Sequence, residues 1–119
     1  MNLGSARTAQ RMLASLIALA VAAQFFLAGA GAFGATSYTP HRALGWALLI
    51  ATGIELLVAR AAAELLRHSA TLFLVTALQA GFGILGTESQ AWFGALHALN
   101  ALAVIAAAGT LARKSWDPR

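Results

Sequence analysis

Four stretches of the chain are almost continuously apolar, each bounded by charged or turn-forming residues, at about 12–33, 41–59, 69–85 and 91–112. Runs of roughly 20 such residues are what an α-helix needs to cross the hydrocarbon layer of a bilayer, and neither proline falls inside one. The pattern predicts an all-α membrane protein: a single four-transmembrane-helix bundle over residues 1–119. The first run, preceded by Arg7 and Arg11 and ending in Ala28-Gly-Ala-Gly-Ala, also has the look of a cleaved signal peptide. Its apolar stretch from Met12 to Ala28 is longer than the usual h-region of about 7–15 residues, which favours a retained span.

Composition sharpens this picture. Sixty per cent of the residues are hydrophobic and only 12 carry charge, eight basic and four acidic, too few to cover a soluble globule. There is no cysteine, which excludes a disulfide scaffold, an iron–sulfur cluster, a thiolate zinc site and a thiol nucleophile. The net charge of +4 raises the question of nucleic acid, and the placement of the charges answers it. Arg7, Arg11, Arg60, Arg67, Arg113, Lys114 and Arg119 all fall on one side of the four spans, and Arg42 alone on the other. That bias predicts a multi-pass protein of the plasma or inner membrane with both termini cytoplasmic, and leaves the lipid bilayer rather than nucleic acid as the partner of the basic residues.

The two short connections on the far side, at 34–40 and 86–90, carry helix-start signals. Thr39 is positioned to cap with Pro40 in the first helical position, and Thr87 with Gln90 has the spacing of a capping box. Trp46, Trp92 and Trp116 fall near the two interfaces, where an indole acts as an anchor.

The chain repeats itself over half its length. Gln24 is followed seven residues later by Gly31 and 17 later by His41; Gln79 is followed seven later by Gly86 and 18 later by His97. This predicts two helical hairpins of one design in parallel orientation, placing the two histidines at similar depth on neighbouring helices near the outer face. An ionisable group within a span is costly and marks a functional candidate, and two imidazoles facing each other inside a helical bundle suit the axial positions of a haem iron. Small residues would leave room for the macrocycle: Gly94, Ala101, Val104 and Ala108 along the His97 face, Gly45 beyond His41, and Gly29, Gly31, Gly81, Gly83 and Gly86 from the other spans. Such residues also serve plain helix–helix approach. Arg42 would suit a haem propionate, or reach lipid headgroups. A structural hydrogen bond from His97 to a carbonyl, Gln79 or Gln24 is the alternative role for that imidazole, and His41 at the interface needs no partner.

The strings Gln24-Phe-Phe-Leu-Ala-Gly and His41-Arg-Ala-Leu-Gly, echoed by Gln79-Ala-Gly-Phe-Gly and His97-Ala-Leu-Asn, resemble one half of haem A synthase. They resemble more closely still an uncharacterised family of small four-span bacterial and archaeal membrane proteins, a likeness that covers essentially the whole chain. The first resemblance implies that His41 and His97 are axial ligands of a b-type haem. It does not extend to haem A synthesis, because Tyr38 stands where that family has a glutamate and the second half is missing. His68, beside Arg67, is expected to be solvated.

Glu55 lies 14 residues beyond His41, about 21 Å deeper and within about 40° of the same helix face, so it points inward. It is either a proton carrier or quinone contact, or a partner of Arg11, Gln10 or Arg60. Asn100, one turn below His97, either orients that imidazole or bonds across helices. Three functions of different class follow. The first is a small haem protein for electron transfer or haem handling, with His41, His97, Arg42, Gly45, Gly31, Gly86, Gln24 and Gln79 around the cofactor. The second is a cofactor-free subunit of a larger membrane complex or homo-oligomer. The third is a proton-coupled exporter using Glu55.

Overall fold

The computed structural model describes residues 2–86 and 90–117. They form four α-helices: α1 over Leu3–Ala32, α2 over Thr39–Ala62, α3 over Leu66–Leu85 and α4 over Ala91–Trp116. All four are long and apolar enough to cross a membrane. Helices consecutive in sequence pack on each other, and α1 closes the ring against α4, so α1 lies diagonally opposite α3 and α2 opposite α4. The bundle is 48 Å long, beyond the roughly 30 Å hydrocarbon thickness.

That excess accounts for the main difference from the apolar runs. At 1.5 Å per residue α1 is about 45 Å long, and it starts nine residues before Met12, at Leu3, where the Asn2 side chain accepts from the Ser5 N–H. Arg7 and Arg11 therefore ride on helix rather than on a tail, as do Arg60, Arg67, Arg113 and Lys114. Helical hydrogen bonding continues past the edge of the apolar run because nothing in the flanking sequence breaks it.

The connections follow backbone chemistry. After α1, Gly34 sits at φ +74, with Ala35 N–H bonded to Ala30 O and Gly34 N–H to Gly31 O, the paired closure that a left-handed glycine permits. Thr39 is not the cap of α2. It lies inside the first turn, its N–H donating to the Ser37 hydroxyl, and Tyr38 holds the cap position without a side-chain bond. Thr87 lies outside the described residues, and Gln90 precedes α4 without a capping side-chain bond.

The α2–α3 turn is only residues 63–65, and Ala63 (φ 54) and Leu65 (φ 53) both adopt the left-handed conformation that costs an L-residue about 1–2 kcal/mol. Glu64 N–H to Ala59 O and Ala63 N–H to Arg60 O close the helix there as at Gly34, with alanine where glycine is favoured. Ala63→Gly is expected to stabilise the protein by about 0.5–1 kcal/mol after glycine's own entropic cost, seen as a higher thermal midpoint in mild detergent.

Packing is unequal along the bundle. The buried side chains are Ala6, Gln10, Ala14, Ile17 and Val21 on α1, Leu48, Thr52, Glu55, Ala59 and Ala62 on α2, Ser69, Leu72 and Thr76 on α3, and Val104, Ala108, Leu111 and Ser115 on α4. All lie in the half that carries both termini or near the middle. Beyond Val21, before Leu48, beyond Thr76 and before Val104, no described side chain is buried. The termini meet at the packed end: Arg11 Nε donates to Ser115 O at 2.9 Å, its guanidinium lies over the Trp116 ring, and Trp116 Nε1 donates to Ser15 Oγ at 3.0 Å.

Candidate functional site

At the loosely packed end the two repeated histidines meet. His41, in the first turn of α2, and His97, two turns into α4, have ring centres 6.2 Å apart and planes at 74°. Their helices are diagonal rather than adjacent, so the imidazoles reach each other across the bundle instead of along one helix–helix seam. Both rings are only half-buried.

Each imidazole is held the same way. His41 Nδ1 lies 3.2 Å from the backbone oxygen of Gln24, and His97 Nδ1 lies 2.9 Å from that of Gln79. A carbonyl can only accept, so each Nδ1 carries the proton and each Nε2 keeps a lone pair. His41 thus has a partner despite its place in the first helical turn, and His97 takes the carbonyl bond that was its structural alternative. Neither glutamine side chain is hydrogen-bonded to a histidine ring. Gln24 Nε2 donates to His41 O at 2.8 Å, leaving its buried Oε1 without a partner, whereas Gln79 Oε1 accepts from Asn100 Nδ2 at 2.8 Å. The hairpins differ there because the residue three beyond His41 is Leu44, whereas Asn100 lies three beyond His97. Asn100 also donates to Val75 O at 2.9 Å, so it bonds across helices and does not orient His97.

The glycines divide into two groups. A side chain at Gly31 would meet the Tyr38 ring at 2.9 Å, one at Gly45 the Gln24 amide at 3.1 Å, and one at Gly86 the backbone of Gly94 at 3.0 Å. At those three positions a side chain would run into a neighbour, so each permits close packing. Gly83 instead lies beside His97, whose ring a Cβ there would meet at 3.1 Å, and half-buried Gly29 and Gly81 have nothing within 4 Å of the space a side chain would take. Tyr38 adds an edge-to-face contact with His41, ring centres 6.2 Å apart. Gly83, one of the small residues expected near the histidines, is thus brought against His97, whereas Tyr38 was not expected as a neighbour of His41, although it lies one turn before it. Arg42 is exposed and makes no side-chain bond among the described residues. Trp46, Trp92 and Trp116 are exposed, and His68 is half-buried in a groove between α3 and α4 with Thr71 and Thr110.

Glu55 does point inward and is fully buried at the opposite end. Of its expected partners only Gln10 reaches it; Arg11 is engaged with Ser115 and Trp116, and Arg60 is exposed. Ser69 supplies a second donor that the sequence did not suggest.

Among the described residues no three His, Cys, Asp or Glu side chains gather where they could hold a metal ion. No protein-family model, curated protein or solved structure matches the chain.

Proposed function

We propose that the protein holds one b-type haem between His41 and His97 near the extracytoplasmic face of the plasma or inner membrane, with both termini cytoplasmic, and serves one-electron transfer or haem handling. The observation that carries the reading is the pair of imidazoles facing across the bundle with both Nδ1 atoms engaged by carbonyls. A metal–imidazole bond is about 2.0–2.1 Å, and two such bonds plus the ring radius at each end roughly fill the 6.2 Å between ring centres. A carbonyl on Nδ1 is also the outer-shell partner that fixes tautomer and raises the basicity of a ligating imidazole.

The remaining residues fit the group. Half-buried Gly29 and Gly81, on the helices flanking the histidine diagonal, leave open space, and among the described residues none at this end of the bundle is fully buried. Arg42, next to His41 and unpaired, offers a guanidinium to a propionate. The haem would supply a one-electron couple; iron with two axial imidazoles keeps no open position, which argues against oxygen chemistry. The resemblance to one half of haem A synthase supports the same ligands, and the two matched Gln–His contacts support the reading of two repeated hairpins.

The test is a dithionite-reduced minus air-oxidised visible spectrum of protein purified in mild detergent after expression with haem supplied. Sharp α and Soret bands at about one haem per chain are expected for two axial imidazoles on one iron. A flat spectrum would overturn the reading and favour a cofactor-free subunit of a larger membrane complex.

A further inference from the structure

Among the described residues Glu55 is the one carboxyl buried in the core, at the end of the bundle away from the histidines, and the haem reading has no use for it. Two other helices converge on it. Its Oε1 accepts from Gln10 Nε2 of α1 at 3.3 Å and from Ser69 Oγ of α3 at 3.2 Å, while Oε2 is buried and has no partner. Glu55 is 0% exposed and Gln10 2%.

No cation balances this carboxyl among the described residues. Arg7 of α1 is paired with Glu64 at 2.8 Å. Arg11 is spent on Ser115 O and the Trp116 ring of α4. Arg60 on the same helix, Arg67 of α3 and Arg113 of α4 are exposed, while His68 of α3 and Lys114 of α4 are half-buried with no ion pair to it. An ionised carboxylate so placed, buried and unpaired, is among the most expensive groups a protein interior holds. A glutamine would serve both donors equally well through its carbonyl oxygen, so hydrogen bonding alone does not explain an acid here. Both donors converge on one oxygen, the pattern that the carbonyl of a neutral acid takes, and Oε2 is the oxygen left over.

We propose that Glu55 is a proton-binding site that loads and unloads through the α2–α3 turn at the end of the bundle where the termini meet. Gln10 links it to that turn: its Nε2 also donates to Glu64 O at 3.1 Å. The turn is the short strained segment with two left-handed non-glycine residues, and the side chain of Glu64 is 19% exposed. Ser69 sits one turn into α3, just past the same turn. The site stands on the packed half of the bundle and is independent of haem.

A hydrophobic carbodiimide reads it directly. The acid O–H adds across one C=N bond: Oε2 bonds to the central carbon, the proton goes to nitrogen, and acyl migration gives a stable N-acylurea with no leaving group. The ionised carboxylate has no proton to deliver, so the rate follows the protonated fraction. We expect dicyclohexylcarbodiimide to label full-length protein in lipid vesicles once per chain, at Glu55 by peptide mapping, more slowly as the pH is raised. We also expect an infrared carbonyl band of a protonated carboxyl that shifts on transfer to D2O and is missing in Glu55→Gln. Peptide mapping of the unmutated chain keeps the test valid should that variant fail to fold. Label confined to Glu64, Glu88 or Asp117, or a rate at Glu55 indifferent to pH, or a carbonyl band that ignores D2O, would overturn the proposal. None of these readouts uses haem, so a flat visible spectrum leaves them intact.

Discussion

His97→Ala is expected to abolish stoichiometric haem, with apparent affinity falling by more than the roughly 10–100-fold that loss of a mere outer-shell partner costs at a metal centre. The check is haem per chain by pyridine haemochrome, alongside the reduced spectrum. The same loss is expected for His41→Ala, because the two rings are held alike, each by one carbonyl on Nδ1. His97→Met restores a second axial donor and should recover haem with a shifted spectrum and a higher potential, a readout that a purely structural histidine would not produce. Gly83→Leu tests the same geometry without touching a ligand: its Cβ would sit 3.1 Å from the His97 ring and force that ring aside. Gln79→Leu, in contrast, removes the amide bonded to Asn100 but leaves the backbone carbonyl on Nδ1, so haem content should be little changed. Full haem occupancy in His97→Ala would remove that residue as a ligand.

The contrast between Gln79 and its own carbonyl shows where the sequence was legible. Four spans could be read from hydrophobicity because a bilayer demands about 20 apolar residues per helix and leaves little freedom. Ends were not legible, since the apolar run begins at Met12 whereas the helix reaches back through Arg11 and Arg7 to Leu3, where Asn2 caps it. The histidine pair was found through the repeat, but helical periodicity fixes only which face of a helix a residue occupies, not which helix stands opposite. Diagonal packing of α2 and α4 is therefore a property of the ring closure. For the same reason Gln24 and Gln79 stood out as side chains when their backbone oxygens make the contact, and Ser69, 14 residues from Glu55 on a different helix, gave no sign of being its partner.

The packed half and the open half should respond differently to loss of side-chain volume. Leu111 is 0% exposed, in the cluster with Ala14, Ile17, Leu72 and Ala108. Lipid is as apolar as leucine, so helix association in a bilayer rests on contact rather than on escape from water, and a cavity removes that contact outright. Leu111→Ala is expected to cost about 2–3 kcal/mol, toward the low end of what buried Leu→Ala changes cost, measured as loss of helicity against increasing denaturing detergent. Leu99, two residues beyond His97 and 65% exposed, faces outward, so Leu99→Ala should stay within about 0.5 kcal/mol. Equal losses at the two sites would mean that the histidine end is as tightly packed as the other. Unequal losses mean that stability is stored away from the histidines, and local opening around His41 and His97 then costs less than unfolding the whole. Backbone amides beyond Val21 on α1 and beyond Thr76 on α3 would accordingly exchange before those around Ile17 and Leu72, and the histidine end would admit a ligand while the bundle around Leu111 keeps its shape.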